Sequence, residues 1–299
     1  MAINTRCGFV AIVGEPNAGK STLINKLVGG KVSIVSPKVQ TTRFNIRGVC
    51  VQGDTQLIFV DTPGIFDAGK QFEKAMVNAA WAGIGDADAV LMLLDAKTGL
   101  KENALQIIAS LKEKCNKPVF LAINKIDTIN KETLIKLAQK CSSYDLFKSI
   151  FMISALKGDG TEDITRWLSA AMPSGPWLYP EEQMSDISMR MLAAEVTREK
   201  IFMKLDKELP YSIFVETEKW EEKDANIVIS QVIMVQREGQ KKIVIGDKGA
   251  MIKSIGISAR KELERMTEKR IHLELFVKVK PNWKEDSESY RLLGLEYKK

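Results

Sequence analysis

The sequence predicts an α/β domain on a mixed, mostly parallel sheet, followed by a smaller α+β domain. Three observations carry this. Through about residue 172, short and nearly continuous apolar runs alternate with amphipathic stretches, the pattern of strands covered on both faces by helices. Met172-Pro173-Ser174-Gly175-Pro176-Trp177-Leu178-Tyr179-Pro180 then breaks the alternation, because three prolines and a glycine cannot sit inside a regular element. Beyond it the order changes to helix, strand, strand, helix, helix, strand. The expected division is a first domain over 1–172, a linker over 173–184 and a second domain over 185–299.

In chain order, Phe9–Val13 is the first strand and Thr22–Val28 the first helix. Ile46–Val51 can pair antiparallel with Leu57–Val60 through the turn at Gly53-Asp54. Ala89–Leu94, Val119–Ile123 and Ile150–Ile153 are further buried strands, and Ala104–Lys114 repeats Leu105, Ile108 and Leu111 at helical spacing. In the second domain Ser185–Lys207 reads as a helix capped by Ser185 or Asp186 and closed before Pro210. Tyr211–Glu218 and Ile227–Val235 alternate as strands. Lys242–Lys269 is helical with an interruption at Gly246–Gly249, and His272–Val279 closes the domain as a strand with Leu273, Leu275, Val277 and Val279 on one side.

Composition narrows the function classes. The chain has 299 residues, 45% of them hydrophobic and 27% charged, an ordinary globular mix. Its formal charge of +6 fits an anionic partner. Cys7, Cys50, Cys115 and Cys141 form no C-x-x-C pair, so zinc spacing is absent and reduced thiols in the cytosol are expected. One histidine, His272, argues against a multi-histidine metal site. No apolar run approaches the roughly 20 residues of a membrane span, and no signal peptide is expected before the first strand. Trp81, Trp167 and Trp220 are expected as packing residues, and Trp177 and Trp283 as candidates for a contact between domains.

Gly14-Glu15-Pro16-Asn17-Ala18-Gly19-Lys20-Ser21, followed by Thr22, joins a strand to a helix. This is the P-loop pattern in its proper setting: backbone N–H groups and a helix N-terminus surround phosphate oxygens. Lys20 is expected on the β- and γ-phosphates and Ser21 on Mg²⁺. Asp61-Thr62-Pro63-Gly64 ends the next strand, with Asp61 holding the metal through water and the Gly64 N–H sensing the γ-phosphate. Asn124-Lys125-Ile126-Asp127 ends a third, and Asp127 can accept from the guanine N1–H and N2-amine. Adenine has no such donor pair, so the expected ligand is GTP or GDP. Ser154-Ala155-Leu156 is placed for a backbone contact to the guanine O6. All four motifs lie at strand C-terminal ends, where open α/β sheets bind ligands.

A switch threonine that reaches Mg²⁺ is expected in Val39-Gln40-Thr41-Thr42-Arg43, with Thr42 favoured over Thr41. A second switch is expected over 65–71. Many small GTPases orient the attacking water with a glutamine after the D-x-x-G glycine. Here that position is Ile65, so slow intrinsic turnover is expected and no catalytic base is assigned.

In the second domain Ile245-Gly246-Asp247-Lys248-Gly249 places a G-x-x-G between helical stretches, as in a type II KH module, whose loop clamps a nucleic-acid backbone. Charge sharpens this: residues 181–236 carry net −5, 237–270 net +5 and 271–299 net +1. Lys241, Lys242, Lys248 and Lys253 lie near the loop and favour single-stranded RNA over a protein partner on this face.

The P-loop with Gln40-Thr41-Thr42-Arg43, Asp61-Thr62-Pro63-Gly64 and Asn124-Lys125-Ile126-Asp127 resembles that of the bacterial Era GTPases. The resemblance continues through Leu209-Pro210-Tyr211-Ser212, Arg237-Glu238-Gly239-Gln240-Lys241-Lys242 and Lys278-Val279-Lys280 to Trp283. It implies a GTP-controlled factor in small ribosomal subunit assembly that binds the 3′ end of 16S ribosomal RNA; a monomer is expected. It further implies a peripheral inner-membrane contact and, through Asn17, stimulation by K⁺. Glu15 and Ala18 depart from the arginine and valine commoner in the family.

Overall fold

A computed structural model describes residues 5–38, 41–66, 68–206 and 209–297. The chain divides into two compact units, the first made of 1–33, 37–186 and 293–299, the second of 34–36 and 187–292.

The first unit runs β1 (Arg6–Gly14), α1 (Lys20–Val28), β2 (Ile46–Gln52), β3 (Thr55–Asp61), α2 (Gln71–Gly85), β4 (Ala89–Asp95), α3 (Glu102–Lys114), β5 (Val119–Asn124), α4 (Lys131–Ser142), β6 (Phe147–Ile153) and α5 (Thr161–Ala171). Its sheet has the order β2-β3-β1-β4-β5-β6. Only β2 pairs antiparallel, Ile46 opposite Asp61 through Gln52 opposite Thr55, as its short turn requires. Apolar runs bury both faces of the sheet. Val10, Ile12, Leu57 and Leu91 pack with Leu23 and Ile24 of α1 and Ile164 and Leu168 of α5. Ala11, Val13, Val90 and Met92 pack with Ile84 of α2, Ile107, Ile108 and Leu111 of α3 and Cys141 of α4. On α3 the buried stripe is Ala104, Ile107, Ile108 and Leu111, so the expected Leu105 falls one position off it and is exposed.

The expected linker, 173–184, belongs to the first unit. Its backbone is tied down: the Leu178 and Tyr179 N–H groups donate to Gln56 Oε1 at 2.9 and 3.0 Å, and the Trp177 indole donates to the Asp54 carbonyl. The C-terminal segment also departs from the expected division, with Leu293 and Leu295 buried in residues assigned to this unit.

The second unit contains α6 (Met189–Lys204), β7 (Phe214–Lys223), β8 (Asn226–Val235), α7 (Glu238–Ile245), α8 (Ala250–Thr267), β9 (Arg270–Val279) and α9 (Ser287–Leu292). Helix α6 starts later than expected because Ser188, not Ser185 or Asp186, caps it, accepting from the Met191 N–H; the Lys207 end of that expectation lies outside the described residues. Pro210–Ser212 is a 3-10 turn, so β7 begins at Phe214 and extends to Lys223. The sheet order is β7-β8-β9, antiparallel then parallel. Ile229, Ile233 and Val235 of β8 pack with residues of α6 and α8. Trp283 is fully buried against Phe214, ring centroids 5.5 Å apart, and donates to the Ser212 carbonyl at 2.9 Å. Trp177 and Trp283 each make these indole bonds inside their own unit. Trp167 is 52% exposed on α5 and is not the packing residue expected. Among the described residues no helix is long and apolar enough to cross a membrane.

Candidate functional site

The parallel strands β1, β3, β4, β5 and β6 deliver the motifs to one edge of the first sheet. The P-loop leaves β1 and enters α1 at Gly19, whose φ of 101° suits glycine and whose added Cβ would lie 2.3 Å from Asn124 Nδ2. Lys20 is buried and its ammonium donates to the carbonyls of Gly14 and Glu15, both at 3.1 Å. Burial pushes Lys20 down to about 8, against the upward pull of the Asp61 and Glu15 carboxylates. Burial raises the Glu15 carboxyl, offset in part by the Ala104 N–H. Asn17 Nδ2 donates to the Pro37 carbonyl at 2.8 Å. Thr22 is half-buried in the first turn of α1.

Asp61 gathers the metal-ligand candidates. Its Oδ2 accepts from Ser21 Oγ at 2.8 Å and Thr42 Oγ1 at 3.3 Å, and Ser21 Oγ and Thr42 Oγ1 are 3.1 Å apart. Ser33 Oγ also donates to it, at 2.7 Å. Burial raises the Asp61 carboxyl, opposed by Lys20 and by these hydroxyls. Asp61 Oδ1 is buried with no hydrogen-bond partner among the described residues. An oxygen-only set with an unshared carboxylate oxygen fits a hard divalent cation such as Mg²⁺. Thr42 is therefore the threonine brought to the site, whereas Thr41 Oγ1 donates to the Lys38 carbonyl at 2.7 Å. Val39 and Gln40 of the first switch and Asp67 of the second lie outside the described residues. In Asp61–Gly64, the Thr62 hydroxyl donates to the Ile12 carbonyl, Pro63 is buried, and Gly64 lies against Pro16 of the P-loop. Ile65 packs against the core of the first unit.

On the base side, Asn124 acts as a brace. Its amide donates to the Ala18 carbonyl at 2.8 Å and accepts from the N–H groups of Lys125 and Ala155 at 2.8 and 2.9 Å. Lys125 Nζ bonds the Asn17 carbonyl at 2.7 Å and Asp95 Oδ2 at 2.6 Å. For Asp95, burial raises the carboxyl but the Lys125 hydrogen bond and charge outweigh it, and its pKa is lowered. Asp127 is exposed in the 3-10 turn Ile126–Thr128. Ser154 is buried and Leu156 is exposed; the Ala155 N–H is held by Asn124. Sequence reasoning missed Ser33 and Asp95. Asp95 was findable, since it ends β4 opposite Asn124 on the same sheet edge.

In the second unit the G-x-x-G is a sharp turn between α7 and α8. Gly246 has φ 73°, and an added Cβ would lie 2.6 Å from Met251 Cβ. Ile245 is half-buried at the end of α7, and Asp247, Lys248, Lys242 and Lys253 are exposed around the turn, with Lys241 half-buried. Gly249 caps α8, whose first N–H groups are thereby free for an anion. Beside the turn a groove of about 310 Å³ is lined by Ile252, Lys253, Gly256, Ile257, Arg260, Leu273 and Leu275. Its floor is apolar and its rim cationic, a form suited to stacking bases while holding phosphates. Gly256 and Ile257 were missed, although they lie four residues after Ile252 and Lys253 and so on the same helix faces as these two.

The description "50S ribosome-binding GTPase" matches residues 9–125 and "KH domain" matches 208–284. GTPase Era of Brucella suis biovar 1 (strain 1330) is 52% identical over 297 residues, 99% of this chain and 95% of that protein. GTPase Era of Afipia carboxidovorans is 54% identical over 296 residues, 99% and 96%. The chain belongs to the Era GTPase family. Among solved structures it is similar to Era in complex with MgGDPNP and nucleotides 1506–1542 of 16S ribosomal RNA, at 39% identity and TM-score 0.92 over 97% of this chain and 99% of that one. It is equally similar, at 40% identity and TM-score 0.92, to an Aquifex aeolicus Era variant bound to GDP·AlF4⁻. As an Era GTPase it hydrolyses GTP, with a G domain followed by a KH domain.

Proposed function

We propose that this Era-family GTPase binds Mg²⁺·GTP in its first unit, binds the 3′ end of 16S ribosomal RNA in its second, and couples the two in small-subunit assembly in the cytoplasm. The observation that carries the reading is the joint presence of the Asp61 cluster and the G-x-x-G groove in a chain matching the RNA-bound Era complex along 97% of its length.

The roles follow from the geometry. Lys20, buried and held by two carbonyls, exchanges them for β- and γ-phosphate oxygens. Ser21 and Thr42 hold the metal, with Asp61 behind a water; bound there, Mg²⁺ neutralises charge developing on the phosphates. The Gly64 N–H meets the γ-phosphate. Asp127 takes the guanine N1–H and N2-amine, and the Ser154–Leu156 turn supplies the O6 contact. Asn17, fixed to the Pro37 carbonyl, is the place for K⁺ stimulation, read as faster turnover in KCl than in NaCl. With Ile65 set into the core, no side chain there orients water, and intrinsic turnover is slow.

Fluorescence anisotropy with a labelled RNA of the 16S 3′ end tests the second unit. Lys248→Asp should weaken RNA binding about tenfold or more while GTP affinity stays at the wild-type value. Unchanged RNA affinity would rule out the G-x-x-G face as the RNA site and leave a protein partner there.

A further inference from the structure

Ser33 belongs to none of the nucleotide motifs, yet it is 1% exposed in the loop that follows α1. Its hydroxyl donates to Asp61 Oδ2 at 2.7 Å, closer than Ser21 at 2.8 Å or Thr42 at 3.3 Å. Its backbone is pinned as well. Asn25 Oδ1 accepts from the N–H groups of Val32 and Ser33, both at 2.9 Å, and Asn25 Nδ2 donates to the Ser33 carbonyl at 2.7 Å. Asn25 lies four residues after Ser21 on α1 and so on the same helix face. One helix therefore carries the phosphate lysine, a metal-ligand serine and the amide that fixes Ser33.

The two oxygens of Asp61 are differently used. Oδ2 takes the three hydroxyls, whereas Oδ1 is buried with no hydrogen-bond partner among the described residues. Ser21 and Thr42 are themselves metal-ligand candidates, and a hydroxyl whose oxygen ligates a metal is placed by that metal. Ser33 has no such second duty. Its bond ties Oδ2 to a backbone that Asn25 holds, which restricts rotation of the carboxylate and leaves Oδ1 to accept from a metal-bound water. Outer partners of this kind orient the groups around a metal, and losing one typically costs about 10–100-fold in metal affinity.

We infer that Ser33, pinned by Asn25, is a positioning residue that orients the Asp61 carboxylate for Mg²⁺ with GDP as well as with GTP. The inference rests on the reading of the Asp61 cluster as the Mg²⁺ site. It separates Ser33 from Thr42, whose part in holding the metal depends on a γ-phosphate to order the switch. The Ser33–Asp61 bond involves neither the γ-phosphate nor residue 42, so its contribution is the same for both nucleotides.

The experiment measures dissociation constants for N-methylanthraniloyl GDP and GTP on the full chain, in EDTA and across a series of Mg²⁺ concentrations. Ser33→Ala removes the hydroxyl and little volume. The Mg²⁺ concentration that gives half of the metal's effect on affinity should rise about tenfold for GDP and GTP alike, while affinity in EDTA stays within about twofold of wild type. The EDTA value is the readout that a merely structural role would move: a comparable loss there makes Ser33 a structural residue and overturns the inference. A Mg²⁺ midpoint within about twofold of wild type overturns it too, as does a shift confined to GTP, which would assign the effect to the switch. Asp61→Asn, measured alongside, tests the site itself and should lose most of the response to Mg²⁺. A wild-type response in Asp61→Asn refutes the cluster as the metal site. Loss of response in Asp61→Asn with none in Ser33→Ala refutes the role of Ser33 alone.

Discussion

Asn124→Ala removes a side chain that no nucleotide needs to touch for its loss to be felt. The residue is 2% exposed and its amide makes three bonds, to the Ala18 carbonyl and the Lys125 and Ala155 N–H groups, at 2.8, 2.8 and 2.9 Å. Each is worth about 0.5–1.5 kcal/mol net, so their joint loss costs about 3 kcal/mol. Because the amide joins the phosphate loop to both base-side turns, that cost falls on the arrangement that binds nucleotide. Equilibrium titration with N-methylanthraniloyl GDP and GTP should show both affinities reduced roughly 100-fold, at 1.4 kcal/mol per decade. Asn124→Asp keeps acceptors for the two N–H groups but sets a carboxylate against the Ala18 carbonyl, and should fall between. Affinities within about threefold of wild type would refute the brace, as would loss of GTP binding with GDP binding kept.

Three further outcomes follow from the same geometry. Thr42→Ala should lower Mg²⁺·GTP affinity and single-turnover hydrolysis by about tenfold or more with GDP affinity unchanged, whereas Thr41→Ala, whose hydroxyl bonds the Lys38 carbonyl, should remain close to wild type. Trp283→Ala should destabilise the second unit by about 3–5 kcal/mol, seen in a denaturant melt, while nucleotide affinity holds. Gly246→Ala should abolish RNA binding because its Cβ would meet Met251 Cβ at 2.6 Å; Gly239→Ala, with nothing within 4 Å, should not.

The nucleotide motifs were legible because each is local: glycines and short polar residues at a strand end determine what the backbone can offer a phosphate or a base. The alternation of strands and helices, and the one antiparallel pair, were legible as well, whereas the strand order was not. What stayed hidden depends on contacts far apart in sequence. Ser33 reaches Asp61 across 28 positions, and nothing in its neighbours marks it. The proline-rich stretch 173–184 correctly signals the end of helix and strand, but prolines do not reveal that Gln56 holds its backbone, and Asp54 its Trp177 indole, to the first sheet. In the second unit, Tyr211 alternates with its neighbours like a strand residue, yet Pro210 opens a 3-10 turn there and delays β7 to Phe214. The helical reading of Lys242–Lys269 starts four residues late: α7 begins at Glu238, with no side-chain cap to announce it.

That guanine nucleotide in the first unit governs RNA binding in the second can be tested on one variant. Asp127→Asn should exchange the preference for guanosine triphosphate for one for xanthosine triphosphate, since the amide donates where the carboxylate accepts. Anisotropy of the labelled 16S 3′-end RNA should then respond to xanthosine triphosphate and not to GTP in the variant, and to GTP alone in the wild type. RNA affinity that ignores both nucleotides in both proteins, or that still answers to GTP in Asp127→Asn, would contradict it.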